Sequence, residues 1–283
     1  NKSKKIMLAL FSDIHFTNNF NQNKLNKIKD NLLENIPDYI CIPGDIIDNT
    51  NILGDKDEFD KLLLFLKDIA SIAPVFISLG NHDLSKMVKN KKVKSSNNNF
   101  EVKLKKLKKY GVYLLNNDIY VDNNIRFIGL TLSYNYYYNK NNSEDSKVLI
   151  DIFKKNIKLC DDSKLNVILC HSPINILRED VLRELGNNID IILCGHMHNG
   201  MVPRFLEGIF PKNRGIMAPD KRLFPDNARG IKEIKLNNNI IYGVISGSIT
   251  KIQKSALKIL QIGNCFYKSQ MEYIIINSND DKL

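Results

Sequence analysis

The sequence predicts an α/β fold whose parallel strands carry chemistry at their carboxyl ends. Three observations lead there. Five short apolar, β-favouring runs are each followed at once by a residue that can bind a metal or move a proton. Amphipathic segments of helical period separate the first three runs. All five histidines, His15, His82, His171, His196 and His198, stand at these run-ends and nowhere else. In open α/β sheets, sites form in the crevice outside the carboxyl ends of the strands. Five such ends can direct their side chains into one crevice.

Taken in order, Ile6 to Ser12 is the first strand and leads into Asp13-Ile-His15. Asn18 to Asn35 then places Leu25, Ile28, Leu32 and Leu33 at helical spacing and reads as the crossover helix. Tyr39 to Pro43 leads into Gly44-Asp45-Ile-Ile-Asp48. Asp57 to Ala70 is a second helix, with Phe59, Leu62, Leu63, Leu66 and Ile69 on one face. Val75 to Leu79 leads into Gly80-Asn81-His82-Asp83. The resulting β-α-β-α-β unit is right-handed by default.

Lys86 to Lys109 is densely basic. Its first part, through Asn99, reads as polar and mobile. Phe100 to Tyr110 reads as a helix with Leu104 and Leu107 inward. The segment is either a solvated face or a basic surface beside the site, since it follows His82 and Asp83 directly. Ile125 to Leu130 is a further strand, and Tyr134 to Tyr138 opens a low-complexity loop running to about Ser146. Those tyrosines pack over a rim or touch a substrate.

Val148 to Leu159 reads as a helix feeding the strand Val167 to Cys170, which ends in His171. Ile176 to Leu185 is the helix before Ile191 to Cys194, which ends in Gly195-His196-Met-His198. Gly195 is expected to permit a tight turn there. Gly200 to Gly230 holds four prolines and the basic residues Arg204, Lys212, Arg214, Lys221, Arg222 and Arg229. A loop of that length without periodicity is usually functional or disordered. Ile231 to Ile245 reads as a hairpin around Asn237-Asn-Asn239, and Gln270 to Ile276 as a last strand. No linker divides the chain, so residues 1–283 read as a single catalytic domain.

Composition sets bounds. Apolar content and charge are those of a soluble globular protein. The net charge of +10 favours anionic partners such as phosphate esters, nucleic acid or acidic lipid headgroups. The cysteines, Cys41, Cys160, Cys170, Cys194 and Cys265, are odd in number and lack C-x-x-C spacing. They read as small buried apolar residues, which argues against a disulfide framework or a structural zinc site. No segment has the roughly 18 uninterrupted apolar residues of a membrane span. No signal peptide is visible, but the chain starts at Asn1 with a strand almost at once and reads as truncated. An upstream signal or anchor stays compatible with it, so the expected location is cytoplasmic or membrane-associated.

Any one of these histidines is as easily a packed core residue as a ligand. All of them together make a metal site. Asp-x-His, Gly-Asp-x-x-Asp, Gly-Asn-His-Asp, a lone His and Gly-His-x-His, in that order, resemble the calcineurin-like metallophosphoesterases. The motifs span Asp13 to His198, and none departs from the family pattern. The resemblance implies a four-layer α/β/β/α sandwich holding two divalent transition-metal ions: manganese, iron or zinc. It implies that Asp13, His15 and His198 hold the first ion, that Asn81, His171 and His196 hold the second, and that Asp45 bridges both. Imidazoles suit first-row transition metals and argue against a plain magnesium or calcium cage. Two ions about 3.5–4 Å apart can clamp a phosphoryl group and supply a hydroxide at neutral pH. His82 matches the family's catalytic histidine, a general acid for the departing oxygen, and Asp48 the carboxylate that orients it. Asp83 is a weaker supporting candidate, equally readable as a turn cap. Substrate-binding residues are not assigned.

Gly195-His-Met-His-Asn-Gly200 and the Pro- and Arg-rich loop resemble the bacterial phosphodiesterase-like branch, whose members often carry an N-terminal membrane segment. Protein Ser/Thr phosphatases have an Arg after the second motif, where this chain has Asn49-Thr50. The expected reaction is therefore hydrolysis of a phosphodiester or pyrophosphate bond, in a small-molecule or lipid-linked phosphate ester. Two alternatives are a nuclease, which the charge favours and the lack of a nucleic-acid module opposes, and a catalytically silent scaffold. The filled ligand positions speak against the scaffold.

Overall fold

The computed structural model describes residues 5–96, 98–122, 124–138, 150–151, 153–155, 163–185, 188–219, 222–236, 239–250 and 270–277. Strand β1 (Lys5–Leu10) pairs in parallel with β2 (Tyr39–Pro43), and β2 with β3 (Val75–Ser78). β3 pairs in parallel with β6 (Val112–Leu114). β13 (Glu272–Asn277) closes the other edge, antiparallel to β1. The first sheet thus runs β13-β1-β2-β3-β6. The second holds β7 (Asp118–Val121), β8 (Ile125–Leu130), β9 (Leu165–Cys170), β10 (Ile191–Cys194), β11 (Gly230–Leu236) and β12 (Asn239–Ile245), in the order β11-β12-β10-β9-β8-β7. Its four inner strands are mutually parallel.

The two sheets face each other across a core of Leu8, Leu10 and Cys41 from one and Val167, Leu169 and Leu193 from the other. Phe76 of β3 stacks on Phe127 of β8, ring centroids 4.0 Å apart, which ties the sheets together. Helices α1 (Gln22–Asn35) and α2 (Lys56–Ala70) cover the outer face of the first sheet through Leu25, Leu32, Phe59 and Leu66. Leu177, Val181 and Leu182 cover that of the second. This is the expected four-layer α/β/β/α sandwich. Strands buried on both faces are written as continuous apolar runs, which is why they were legible.

Local chemistry sets the helix ends. Asn21 caps α1 by accepting from the Asn23 N–H, so the turn begins there and not at Asn18. Asp55 caps α2 through the Glu58 N–H at 3.2 Å. Elsewhere the structure departs from expectation. Lys86 to Asn99 holds a hairpin, β4 (Ser85–Val88) with β5 (Lys91–Lys94), in place of a polar mobile run. Lys89 and Asn90, at φ 45° and 62°, form the two-residue turn that this hairpin type requires. The helix expected over Phe100 to Tyr110 is α3 (Asn99–Lys105) followed by a 3-10 turn, Lys106–Tyr110. Tyr134–Tyr138 is a short helix, α4, where a loop was expected. Ile176 to Leu185 is broken into α5 (Pro173–Ile176) and α6 (Glu179–Leu185). β6 and β7, of three and four residues, are too short to show a period.

Of the helix expected over Val148 to Leu159, residues 150, 151 and 153–155 are helical. Its remainder, most of the stretch running to Ser146, Cys160, Cys265, Lys221 and Asn237-Asn238 lie outside the described residues. Cys41, Cys170 and Cys194 are free and buried. Among the described residues no helix is long and apolar enough to cross a membrane.

Candidate metal centre

The five motif loops leave the carboxyl ends of β1, β2, β3, β9 and β10, and they lock onto one another. The His15 N–H donates to the Asp45 carbonyl at 3.0 Å, and the Gly195 N–H to the His171 carbonyl at 3.0 Å. Asp83 is the central fastener. Its buried carboxylate accepts from the N–H groups of Asp45, Ile46, Ile47 and Gly80 at 2.8–3.1 Å. Burial and the Asp45 charge push its pKa up to about 7. The turn-cap reading of Asp83 is therefore the one the geometry shows, with the cap spanning two motif loops.

The expected ligands gather in two groups. Asp13, His15 and His198 have donor atoms within 4.8 Å of one another, and so do Asp45, His171 and His196. Asp13 Oδ1 lies 3.7 Å from both His15 Nε2 and His198 Nε2. Asp45 Oδ2 lies 3.1 Å from His171 Nε2 and 3.9 Å from His15 Nε2, between the two groups. The other oxygens are spoken for: Asp13 Oδ2 accepts from Ser12 Oγ and the His196 N–H, and Asp45 Oδ1 from the His82 N–H. His171 Nδ1 donates to the Pro43 carbonyl at 2.7 Å, which turns Nε2 into the site.

Several observations fit these residues to cations. Asp13 Oδ1, His15 Nδ1, Asn81 Oδ1 and His198 Nδ1 are buried without a hydrogen-bond partner. An unsatisfied buried polar group costs about 1–3 kcal/mol, a cost that a cation at Asp13 Oδ1 would relieve. Burial holds His15, His196 and His198 below the usual imidazole range, in the neutral form that binds a metal. Burial opposes charge on His171 too, yet Asp45 takes it to about 9, so the carboxylate holds a proton there that a cation would displace. Asp13, His15, Asp45, His196 and His198 all have left-handed backbones, φ between 47° and 69°. Such strain clusters at functional sites. Two carboxylates with imidazoles and an amide oxygen form a donor set for first-row metals.

Two glycines are needed for close approach. A Cβ on Gly80 would stand 2.2 Å from Asp45 Oδ1, and one on Gly195 would stand 2.3 Å from Ser12 Oγ and 2.8 Å from Asp13 Oδ2. Gly195 thus opens the expected tight turn, closed by the Met197 N–H donating to its carbonyl at 2.8 Å, and serves close packing as well. Gly80→Ala should displace Asp45 and cut the metal content measured by elemental analysis, while the circular dichroism spectrum stays native. An unchanged metal content would show that the Asp45 loop yields without cost.

Beside the two groups stands His82, whose Nδ1 lies 2.9 Å from the Asp48 carbonyl and 3.1 Å from Asp48 Oδ1. Burial opposes protonation of His82, but the Asp45 charge and the Asp48 hydrogen bond raise its pKa. Burial likewise opposes ionisation of Asp48, yet His82 and Lys92 hold it far below the carboxylate range. Sequence reasoning missed Lys92. Its Nζ lies 3.1 Å from Asp48 Oδ1 and within 3.1 Å of both ring nitrogens of His82. It missed the Ser246–Thr250 turn as well. There Thr250 N–H and Ser248 Oγ both donate to the Asp13 carbonyl. The signal was a sixth strand end, β12, followed by a small polar run in place of a ligand. Tyr137 packs 5.3 Å from the His196 ring, with its buried hydroxyl unpaired.

The chain is 26% identical over 215 residues to an uncharacterized metallophosphoesterase of Campylobacter jejuni, covering 73% of this chain and 47% of that protein. It is 32% identical over 114 residues to the uncharacterized protein YpbG of Bacillus subtilis, covering 38% of each. The chain thus spans less than half the length of these curated relatives. A solved dimetal phosphatase from Danio rerio superposes with a TM-score of 0.49 at 12% identity, over 86% of this chain and 88% of that one. The calcineurin-like phosphoesterase model matches residues 6–200, from the first strand through the last of the five motifs. On that match the chain belongs to the calcineurin-like phosphoesterase family of metal-dependent phosphoric ester hydrolases.

Proposed function

We propose that this chain hydrolyses a phosphodiester or pyrophosphate bond with two divalent transition-metal ions. Asp13, His15 and His198 would hold one ion, Asn81, His171 and His196 the other, and Asp45 would serve both. Two bound cations supply Lewis-acid charge for the phosphoryl oxygens and lower the pKa of water toward 7. The chain's own residues do the rest. Asp48 orients the His82 ring through Nδ1, and the protonated ring would give its proton to the departing oxygen. Asp48 fixes the ring and stabilises its charged form. Asp83 keeps the Asp45 loop closed on the Gly80 turn.

One observation carries the reading: the donor atoms of Asp13, His15 and His198, and those of Asp45, His171 and His196, converge within 4.8 Å in each group, from several strand ends, next to the Asp48–His82 pair. The loop after His198 also favours a lipid-linked substrate. Phe205, Ile209, Leu223 and Phe224 within it are each more than 60% exposed. Such side chains suit contact with acyl chains or a bilayer interface. The test pairs elemental analysis with manganese-dependent hydrolysis of a chromogenic diester and its monoester. Lipid-linked and nucleotide diphosphates then follow as substrates. Two metals per chain with diester or anhydride turnover supports the proposal. Monoester preference overturns the bond assignment, and metal-free, inactive protein after reconstitution overturns the enzyme reading.

A further inference from the structure

The β4–β5 hairpin carries its lysines on two faces. Lys92 pairs with Met87 across the hairpin, while Lys91 pairs with Val88, so the two neighbouring lysines point to opposite sides. Lys92 is the half-buried one, its side chain 25% exposed, and Lys91 is open to solvent. The hairpin is tied to the Asp48 loop. Asn51, three residues beyond Asp48, accepts from the Met87 N–H at 3.0 Å and donates to the Met87 carbonyl at 3.2 Å. That clamp holds the cross-strand partner of Lys92, and with it the ammonium, over His82.

The charges around the ammonium do not balance. Two cation-capable groups, Lys92 and His82, both contact the Asp48 carboxylate at 3.1 Å, and Asp45, the other carboxylate acting on His82, would serve the cations. Two divalent ions would add further positive charge beside His82, on the side where it serves the leaving oxygen. A neutral alcohol leaving group has nothing to offer a second cation there. A phosphate leaving group has non-bridging oxygens, and charge grows on them as the bond breaks.

From this we infer that Lys92 binds the departing phosphate of a pyrophosphate-linked substrate, which makes it a specificity-determining residue for phosphoanhydride over simple diester hydrolysis. The inference rests on the hydrolase reading above. Water adds to one phosphorus, the bridging P–O bond to the other phosphate breaks, and the bridging oxygen leaves on that second phosphate. His82 supplies the proton, Lys92 neutralises the leaving phosphate, and two phosphomonoesters result. No oxidant or co-reactant besides water is required.

The experiment compares parent, Lys92→Ala and Lys92→Arg, each manganese-loaded and matched for metal content, on a dinucleoside diphosphate and on a dialkyl phosphodiester, whose leaving group also depends on His82. A charge-assisted phosphate contact is worth about 10- to 100-fold. The ratio of kcat/KM for anhydride over diester should fall by that factor in Lys92→Ala and recover in Lys92→Arg. An unchanged ratio would overturn the inference: with equal losses on both substrates Lys92 only supports His82, and with no loss on either it plays no part. Calorimetry with inorganic pyrophosphate and orthophosphate separates this outcome from failure of the hydrolase reading. The parent should bind pyrophosphate more tightly, and Lys92→Ala should abolish the difference. If the parent turns over neither substrate, the hydrolase reading fails, and the calorimetric difference alone decides Lys92. No preference for pyrophosphate in the parent would reject it.

Discussion

Replacing Asp45 with Asn should strip metal from both positions at once. Asp45 Oδ2 faces His171 Nε2 at 3.1 Å and His15 Nε2 at 3.9 Å, so one atom lies between the two groups. His171 and His82 hold the Asp45 carboxyl well below the usual range despite its burial, so the site is built around its negative charge. Asn keeps the volume and can still accept the His82 N–H through Oδ1. It also tolerates the φ of 53° at this position, since Asn is enriched in the left-handed region. The fold should therefore survive. The amide nitrogen would replace the shared oxygen, and it offers a cation neither charge nor a lone pair. Elemental analysis should fall from about two metals per chain to well under one, with turnover lost to background. Loss from a single position would show that Asp45 does not bridge.

How much of this was written in the sequence depends on where each residue sits relative to the core. The five ligand loops were legible because each follows a strand buried on both faces, where the pattern is a plain apolar run and the first polar residue marks the strand end. Asp83 was visible only as a turn residue, because its four backbone donors come from two loops about 36 residues apart in sequence. The β4–β5 hairpin was missed for a different reason. Its strands pack outside the main sheets and are rich in lysine, so neither alternation nor a Gly-containing turn announces them. Lys92 could not be told from Lys91 or Lys94 by composition, since only the cross-strand register with Met87 turns it toward His82. The break between α5 and α6 was hidden because Ile176, Leu177, Val181, Leu182 and Leu185 all reach the same core, whatever the backbone does between them. Gly195 was legible as the residue of a tight turn, but its second reason was not, because the atoms it makes room for belong to Ser12 and Asp13.

His82→Ala is the sharper test of chemistry. His15, Asp45 and His82 also have donor atoms within 4.8 Å of one another, so His82 is placed to be either a ligand or a proton donor. Its hydrogen bonds favour the donor role. Nδ1 is engaged by the carbonyl and carboxylate of Asp48. Against its burial, the Asp45 charge and the Asp48 hydrogen bond raise the ring's pKa, which favours the protonated form over a metal-bound one. As a general acid His82 is worth about 10²- to 10⁴-fold, and most where the leaving group is a poor one. His82→Ala should thus retain its metals and lose that factor in kcat with an alkyl or phosphate leaving group. With p-nitrophenolate, which departs without help, the loss should be much smaller. A metal content that falls with His82→Ala would reassign the residue as a ligand. A loss independent of leaving group would assign it to charge stabilisation on the phosphoryl oxygens. Turnover equal to the parent on every substrate would take His82 out of the mechanism, and with it the reason for Asp48 and Lys92 to converge on that ring.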